Sequence, residues 1–306
     1  MIAHTPAKIK TRFLIVSDTH GLDRPPKPVS SQYADVAIHC GDLTEESKID
    51  EYRATIQYLQ ALNAPLKLVI AGNHDLTLDT PAFHQKIAEV RPSLDPKLVE
   101  KVYGRDGDAR KLLDSATGIN FLDEGRHSFR LQNGAFLNIY ASPYTPSYGD
   151  RAFQYKPDLG HEFSIHNVDV VMTHGPPKGI MDYTHSGQRA GCPYLFEAVS
   201  LARPKMHCFG HIHEGWGAKL VTWRPKPSQK PSHLTDIDNG KSVLIDKLST
   251  LRGPKSLSMT SHCHGDSNQL ESGSQTLFVN ASIEGGGPFT IQPPWLVDIE
   301  LPPASD

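Results

Sequence analysis

The chain has 306 residues, of which 31 Lys and Arg face 34 Asp and Glu, for a formal charge of −3. That balance offers no basic field for holding nucleic acid, so no stable nucleic-acid complex is expected. Apolar residues make up 38% and charged residues 21%, an ordinary globular composition with enough chain to bury a core of several strands and helices. No stretch approaches the ~18 apolar residues of a membrane span. The start, Met1 to Lys10, has no apolar leader core. Four scattered cysteines, Cys40, Cys192, Cys208 and Cys263, form no C-x-x-C pair and fit reduced thiols in the cytoplasm.

In chain order, five short apolar runs each end in polar residues. Phe13–Val16 runs into Ser17-Asp18-Thr19-His20, and Val36–Ile38 into His39-Cys40-Gly41-Asp42. Leu66–Ile70 runs into Ala71-Gly72-Asn73-His74-Asp75. Val168–Met172 precedes Thr173-His174-Gly175, and Met206–Phe209 precedes Gly210-His211-Ile212-His213. Such near-continuous runs predict buried strands. Ile49, Tyr52, Ile56 and Leu59 recur at helical spacing, with Thr44 or Ser47 as N-cap. A second helix is predicted from Cys192 to Leu201, stopped by Pro204.

Phe129–Leu131 and Ala135–Tyr140 flank Gln132-Asn133-Gly134, a hairpin signal, so antiparallel pairing is expected as well. Trp223 to Gln275 is rich in Ser, Pro, Lys, Asp and Gly, with Val243–Ile245 as its one apolar island. It is expected to be a surface insertion, partly disordered. Strand patterns resume at Thr276–Val279 and Trp295–Ile299. With no internal repeat, one domain over 1–306, interrupted at about 223–275, is the expectation.

The chemistry lies in the strand exits. Open α/β sheets place ligands beyond the carboxyl ends of their strands. Five exits would therefore deliver Asp18, His20, Asp42, Asn73, His74, His174, His211 and His213 to one crevice. Each motif alone is common; five together, each after a strand, are not. Carboxylates, an amide oxygen and imidazoles favour Mn, Fe or Zn. Asp18 and His20, two residues apart in extended chain, point to one side and suit one ion. Asp42, behind a glycine that permits close approach, suits the bridge between two ions.

In this order the motifs closely resemble the calcineurin-like metallophosphoesterase superfamily, whose D-x-H, G-D, G-N-H-[DE], G-H-type and G-H-x-H steps stand here as DTH, GD, GNHD, THG and GHIH, from Phe13 to His213. In detail the chain looks like the subgroup that includes the metallophosphoesterase-domain proteins of animal brain. The matching stretches are Gly41–Glu45, Ala141–Tyr144, Gly191–Pro193, His213–Gly217 and Phe278–Ser282. Some animal members carry Gly for a histidine of the last motif, whereas both histidines are present here. The Ser/Thr protein phosphatases follow G-D with a further Asp and Arg, where this chain has Leu43-Thr44-Glu45. A protein phosphatase is not expected.

The resemblance implies an α/β fold, an αββα four-layer sandwich of two mixed sheets flanked by helices. It implies two divalent ions, one on Asp18, His20, Asp42 and His213, the other on Asp42, Asn73, His174 and His211. It implies attack of a metal-bound hydroxide on small phosphodiesters or phosphomonoesters, nucleotide-like and including cyclic nucleotides. His74 is the expected general acid, with Asp75 fixing its tautomer. His185, Arg189 and Cys192 are expected near the substrate, and His39 and Asn280 behind the ligands. Two other readings stay open: a metal-dependent hydrolase or Lewis-acid enzyme acting on a non-phosphate metabolite, and a weakly active metal-binding regulatory protein.

Overall fold

The computed structural model describes residues 7–253, 255–285 and 291–305. β1 (Ile9–Val16) leads, followed by α1 (Lys27–Ser30), β2 (Val36–His39), α2 (Ile49–Gln60) and β3 (Leu66–Val69). The helices α3 (Thr80–Glu89), α4 (Pro96–Tyr103) and α5 (Asp108–Ser115) precede β4 (Ile119–Phe121). The expected hairpin is β5 (Gly125–Arg130) and β6 (Phe136–Ser142), and two short strands, β7 (Thr145–Pro146) and β8 (Gln154–Tyr155), follow it. Then come β9 (Val170–Thr173), α6 (Pro193–Ala202), β10 (Met206–Phe209) and β11 (Gly217–Thr222). β12 (Val243–Lys247), β13 (Ser258–Ser261), β14 (Gln275–Asn280) and β15 (Trp295–Leu301) complete the order.

Two large sheets result. The first runs β13-β15-β1-β2-β3-β4 and the second β12-β11-β14-β10-β9-β6-β5. Both mix parallel and antiparallel pairs: β1, β2 and β3 are mutually parallel, while β1 meets β15 antiparallel. The inner faces of the sheets share one core, in which Phe13, Ile38 and Leu68 meet Leu137, Met172 and Cys208. On the outer face of the first sheet, Tyr52 and Leu59 of α2 and Leu113 of α5 cover Leu14, Val16 and Val69. On the outer face of the second, Leu195, Phe196 and Val199 of α6 cover Val171 and Phe278. Helix, sheet, sheet and helix make the expected four-layer sandwich.

Two local expectations change. The N-cap of α2 is Lys48, not Thr44 or Ser47. Both hydroxyls have other work: Thr44 donates to Asp75 (2.7 Å), and Ser47 bonds the Tyr52 hydroxyl (2.9 Å) and accepts from the Thr77 N–H (2.7 Å). Glu51 turns back instead to accept the Lys48 N–H at 2.9 Å.

The polar segment from Trp223 to Gln275 also carries more order than its composition suggests. β12 pairs antiparallel with β11 at the edge of the second sheet, and β13 pairs parallel with β15 at the edge of the first. Trp223 is buried, its indole N–H donating to Thr276 at 2.9 Å. Asp236 accepts the N–H groups of Ser228 and Ser232 and so closes a loop. Edge strands and side-chain-closed turns are polar by construction, which is why composition alone read them as loose.

Phe13 is fully buried between the sheets. Phe13→Ala is expected to lower the unfolding free energy by ~3–5 kcal/mol, the cost of a large cavity in a packed core. Urea denaturation measures it, and a loss below about 1 kcal/mol would mean the two faces are not packed as described.

Candidate metal centre

Parallel register brings the exits together. Val16, His39 and Val69 lie side by side on β1, β2 and β3, so the turns carrying Asp18, Asp42 and Asn73 emerge in a row. In the second sheet Met172 pairs with Cys208 and Phe209 with Asn280, so His174 and His211 emerge side by side as well. The two rows are stitched by the Ser17–Ser282 bridge and by the His211 N–H, which reaches both Asp18 carboxylate oxygens at 3.1 Å.

The donor atoms form three overlapping groups. Asp18, His20 and His213 offer atoms all within 4.8 Å of one another, and so do Asp42, His174 and His211. A third group joins His20 and His74 to Glu45. Asn73 meets the second group through its Oδ1, 2.8 Å from His174 Nε2, and Asp42 Oδ2 lies 3.3 Å from the same nitrogen. Asp42 Oδ2 also lies 3.9 Å from His20 Nε2, which sets Asp42 between the groups.

The surroundings select donor atoms. The His174 Nδ1–H donates to the Cys40 carbonyl (2.9 Å), which turns Nε2 toward Asn73 and Asp42 as the nitrogen that would give up its proton to a cation. His39 sits behind the site, with Nε2–H donating to Thr19 (2.9 Å) and Nδ1 accepting from the Gly41 N–H (3.3 Å). Asn280 donates to the Ile212 carbonyl (2.9 Å) and so holds the loop between His211 and His213. Both nitrogens of His20 are buried without an aligned hydrogen-bond partner, though Glu45 and Glu284 each approach to 2.8 Å. Orphaned imidazole nitrogens beside carboxylates are the pattern expected where a cation belongs.

Space is reserved there too. A Cβ on Gly72 would stand 2.3 Å from Asp42 Oδ1, and one on Gly210 2.1 Å from Asp18 Oδ2. Asp18, His20, Asp42 and His211 all adopt positive φ (56°, 45°, 53° and 67°), a conformation that non-glycine residues avoid. Strain thus collects on the residues that turn their side chains inward.

Charge follows the same arrangement. Burial alone would raise the pKa of Asp18, yet the His213 ring overrides it and holds the carboxyl at about 2. Asp42 is likewise held far below the usual carboxylate range: burial opposes this, and His174 prevails. In return, despite burial, Asp42 lifts His174 to about 9 and Asp18 lifts His213 to about 9. His211 and His39 go the other way, lowered by burial to about 4.

A model of the calcineurin-like phosphoesterase family matches residues 11–215. The chain belongs to this family. Members of the family are metal-dependent, and the donor groups above are able to hold metal. The human protein named metallophosphoesterase domain-containing protein 1 is 34% identical over 219 residues, which cover 68% of this chain and 62% of that protein. A protein of Emericella nidulans named probable rhamnogalacturonate lyase C is 36% identical over 214 residues, or 69% of this chain but 18% of that one. The chain thus spans less than two thirds of these relatives. Among solved structures, the Thermus thermophilus protein TT1561 superposes with a TM-score of 0.42 at 12% identity, covering 65% of this chain and 81% of that one.

Within this calcineurin-like centre some expected residues stand elsewhere. Asp75 does not touch His74. Its buried carboxylate accepts the N–H groups of Gly72, Leu43 and Thr44 and the Thr44 hydroxyl (2.7–3.1 Å), tying the β2 exit to the β3 exit. The Glu45 carbonyl takes the tautomer role, accepting from His74 Nδ1 at 2.8 Å. Cys192 is buried as the N-cap of α6, its sulfur accepting the Leu195 N–H. Arg189 pairs with Asp182 at 2.5 Å and lies over the Tyr183 ring, while exposed His185 pairs with Glu214 at 3.0 Å, beside His213. Glu284 and Arg151 also reach the site. Glu284 follows the β14 exit closely, a faint signal; Arg151 lies in irregular chain and had none.

In the metal-free protein His174 and His213 keep their protons up to about pH 9. A cation must expel them, so its affinity rises with pH below 9 and levels off above it. Each expelled proton contributes a slope of about tenfold per pH unit. Titrating metal-free protein with Mn at pH 6, 7 and 8 while following proton release checks this. Uptake that is independent of pH, with no proton release, would contradict the assigned charges.

Proposed function

We propose that the protein is a dinuclear metal-dependent phosphoesterase acting on small phosphate esters of nucleotide-like character, phosphodiesters or phosphomonoesters, cyclic nucleotides included. The observation that carries this reading is the pair of adjoining donor groups, one containing Asp42 and the other meeting its Oδ2 through His20 at 3.9 Å. Asp18, His20 and His213 would hold one ion, and Asn73, His174 and His211 the other, with Asp42 shared. The mix of carboxylate, amide and imidazole fits Mn, Fe or Zn. When bound, such ions activate water at neutral pH and offset charge on the phosphoryl group.

The chain's own residues supply the rest. The His74 N–H donates to Asp42 Oδ1 at 2.8 Å, so the loop that carries Asn73 also fixes Asp42. His74 Nδ1–H stays with the Glu45 carbonyl, and the Glu45 carboxylate lies 3.9 Å from the same nitrogen, well placed to support a charged ring. Nε2 is then the atom that gives a proton to the departing oxygen. The ester P–O bond breaks, the oxygen of water ends on phosphorus, and the leaving alcohol departs neutral.

The whole of 1–306 acts as one domain in this reading, which the pairing of β1 with β15 from opposite ends of the chain supports. Four unpaired, buried cysteines support a reducing, cytoplasmic setting. Among the described residues no helix is long and apolar enough to cross a membrane.

Turnover of p-nitrophenyl phosphate and bis-p-nitrophenyl phosphate with added Mn tests the reading. Asp42→Asn is expected to abolish turnover and metal retention while leaving the fold intact by circular dichroism. His74→Ala is expected to keep metal and lose about 10²–10⁴-fold in kcat. A protein fully loaded with metal that turns over no phosphate ester would refute the proposal.

A further inference from the structure

Arg151 lies in the turn between β7 and β8, and that turn is fastened to the candidate centre by backbone. The Ala152 N–H donates to the Asn73 carbonyl at 3.1 Å, and Ala152 is fully buried. The Phe153 N–H donates to Asp79 Oδ2 at 2.8 Å, and the Phe153 carbonyl accepts from the Thr145 N–H at 2.9 Å. Phe153 takes a positive φ of 51° to make this turn. The turn therefore follows the loop of Asn73 and His74 as one body.

The side chain then reaches the reacting group itself. Arg151 Nη1 donates to His74 Nε2 at 2.7 Å, the nitrogen assigned above to the leaving oxygen. Among the described residues no carboxylate comes within 4.0 Å of the guanidinium, although Asp150 next to it pairs with Lys86. A guanidinium has five N–H donors in a planar fork matched to phosphate oxygens. Among the described residues a single one of these donors is engaged, by the lone pair of His74 Nε2.

We propose that Arg151 binds the phosphoryl group of the substrate and biases the site toward phosphomonoesters. This rests on the phosphoesterase reading. A monoester near neutral pH carries close to two negative charges and three non-bridging oxygens, a diester one charge and two. An additional fixed cation with paired donors favours the former. Arrival of phosphate also gives the guanidinium a better acceptor than imidazole, so Arg151 leaves His74 Nε2 as the substrate enters. The same movement bares that nitrogen to take up a proton from water, which it then gives to the leaving oxygen.

The test compares wild type with Arg151→Ala and Arg151→Lys, all loaded with Mn, in two arms. In binding, calorimetric titration with inorganic phosphate is expected to weaken about ten- to a hundredfold in Arg151→Ala, the loss of one hydrogen bond to a charged group. Arg151→Lys falls between, because it keeps the charge and loses the fork. In kinetics, KM for p-nitrophenyl phosphate rises in parallel while bis-p-nitrophenyl phosphate is little affected, and metal content is unchanged. Unaltered phosphate affinity, or an equal fall for both esters, would overturn the proposal. A wild type that turns over neither ester would sink the phosphoesterase reading, and the phosphate-binding arm would still decide the role of Arg151.

Discussion

Two carboxylates, Asp18 and Asp42, are 1% and 2% exposed at the seam between the sheets, close enough to repel each other, and the positive charges facing them are imidazoles. Burying an ionised carboxylate costs several kcal/mol unless it is paired. The fold answers with His174 and His213, both held protonated in the metal-free protein. Protons on histidines are what such a cluster holds when divalent cations are absent. The rest of the site is arranged around this need for positive charge.

The backbone bears strain to meet that need. Four of the inward-facing residues sit at positive φ. Gly72 and Gly210 leave no room for a Cβ against the two carboxylates. Asp75 spends its hydrogen bonds on holding the Asp42 and Asn73 turns together, and burial with the nearby Asp42 charge pushes it up to about 7. Such a site withstands strain because the parallel strands beneath it fix where every turn begins.

The sequence disclosed those turns because apolar runs ending in Asp, Asn or His mark strand exits, and exits of parallel strands share one edge. The five exits from Asp18 to His213 were readable for that reason, and so were the hairpin of β5 and β6 and the start of α6. What could not be read depends on contacts between distant segments. Asp75 looks like a partner for His74 because it is adjacent, yet its carboxylate turns toward Leu43 and Thr44. Cys192 opens the predicted helix, yet that its sulfur caps α6 and is buried is visible only in the structure. Arg151 reaches His74 across 77 positions from a stretch with no periodic pattern. Edge strands such as β13 resemble loops because their outward faces must be polar.

In the proposed function Asp42 stands between two cations. Anomalous diffraction at the Mn edge from Mn-loaded crystals measures this directly. Two peaks ~3.5–4 Å apart, with the Asp42 carboxylate between them, are the predicted result. A single peak, or peaks remote from Asp42, would contradict it.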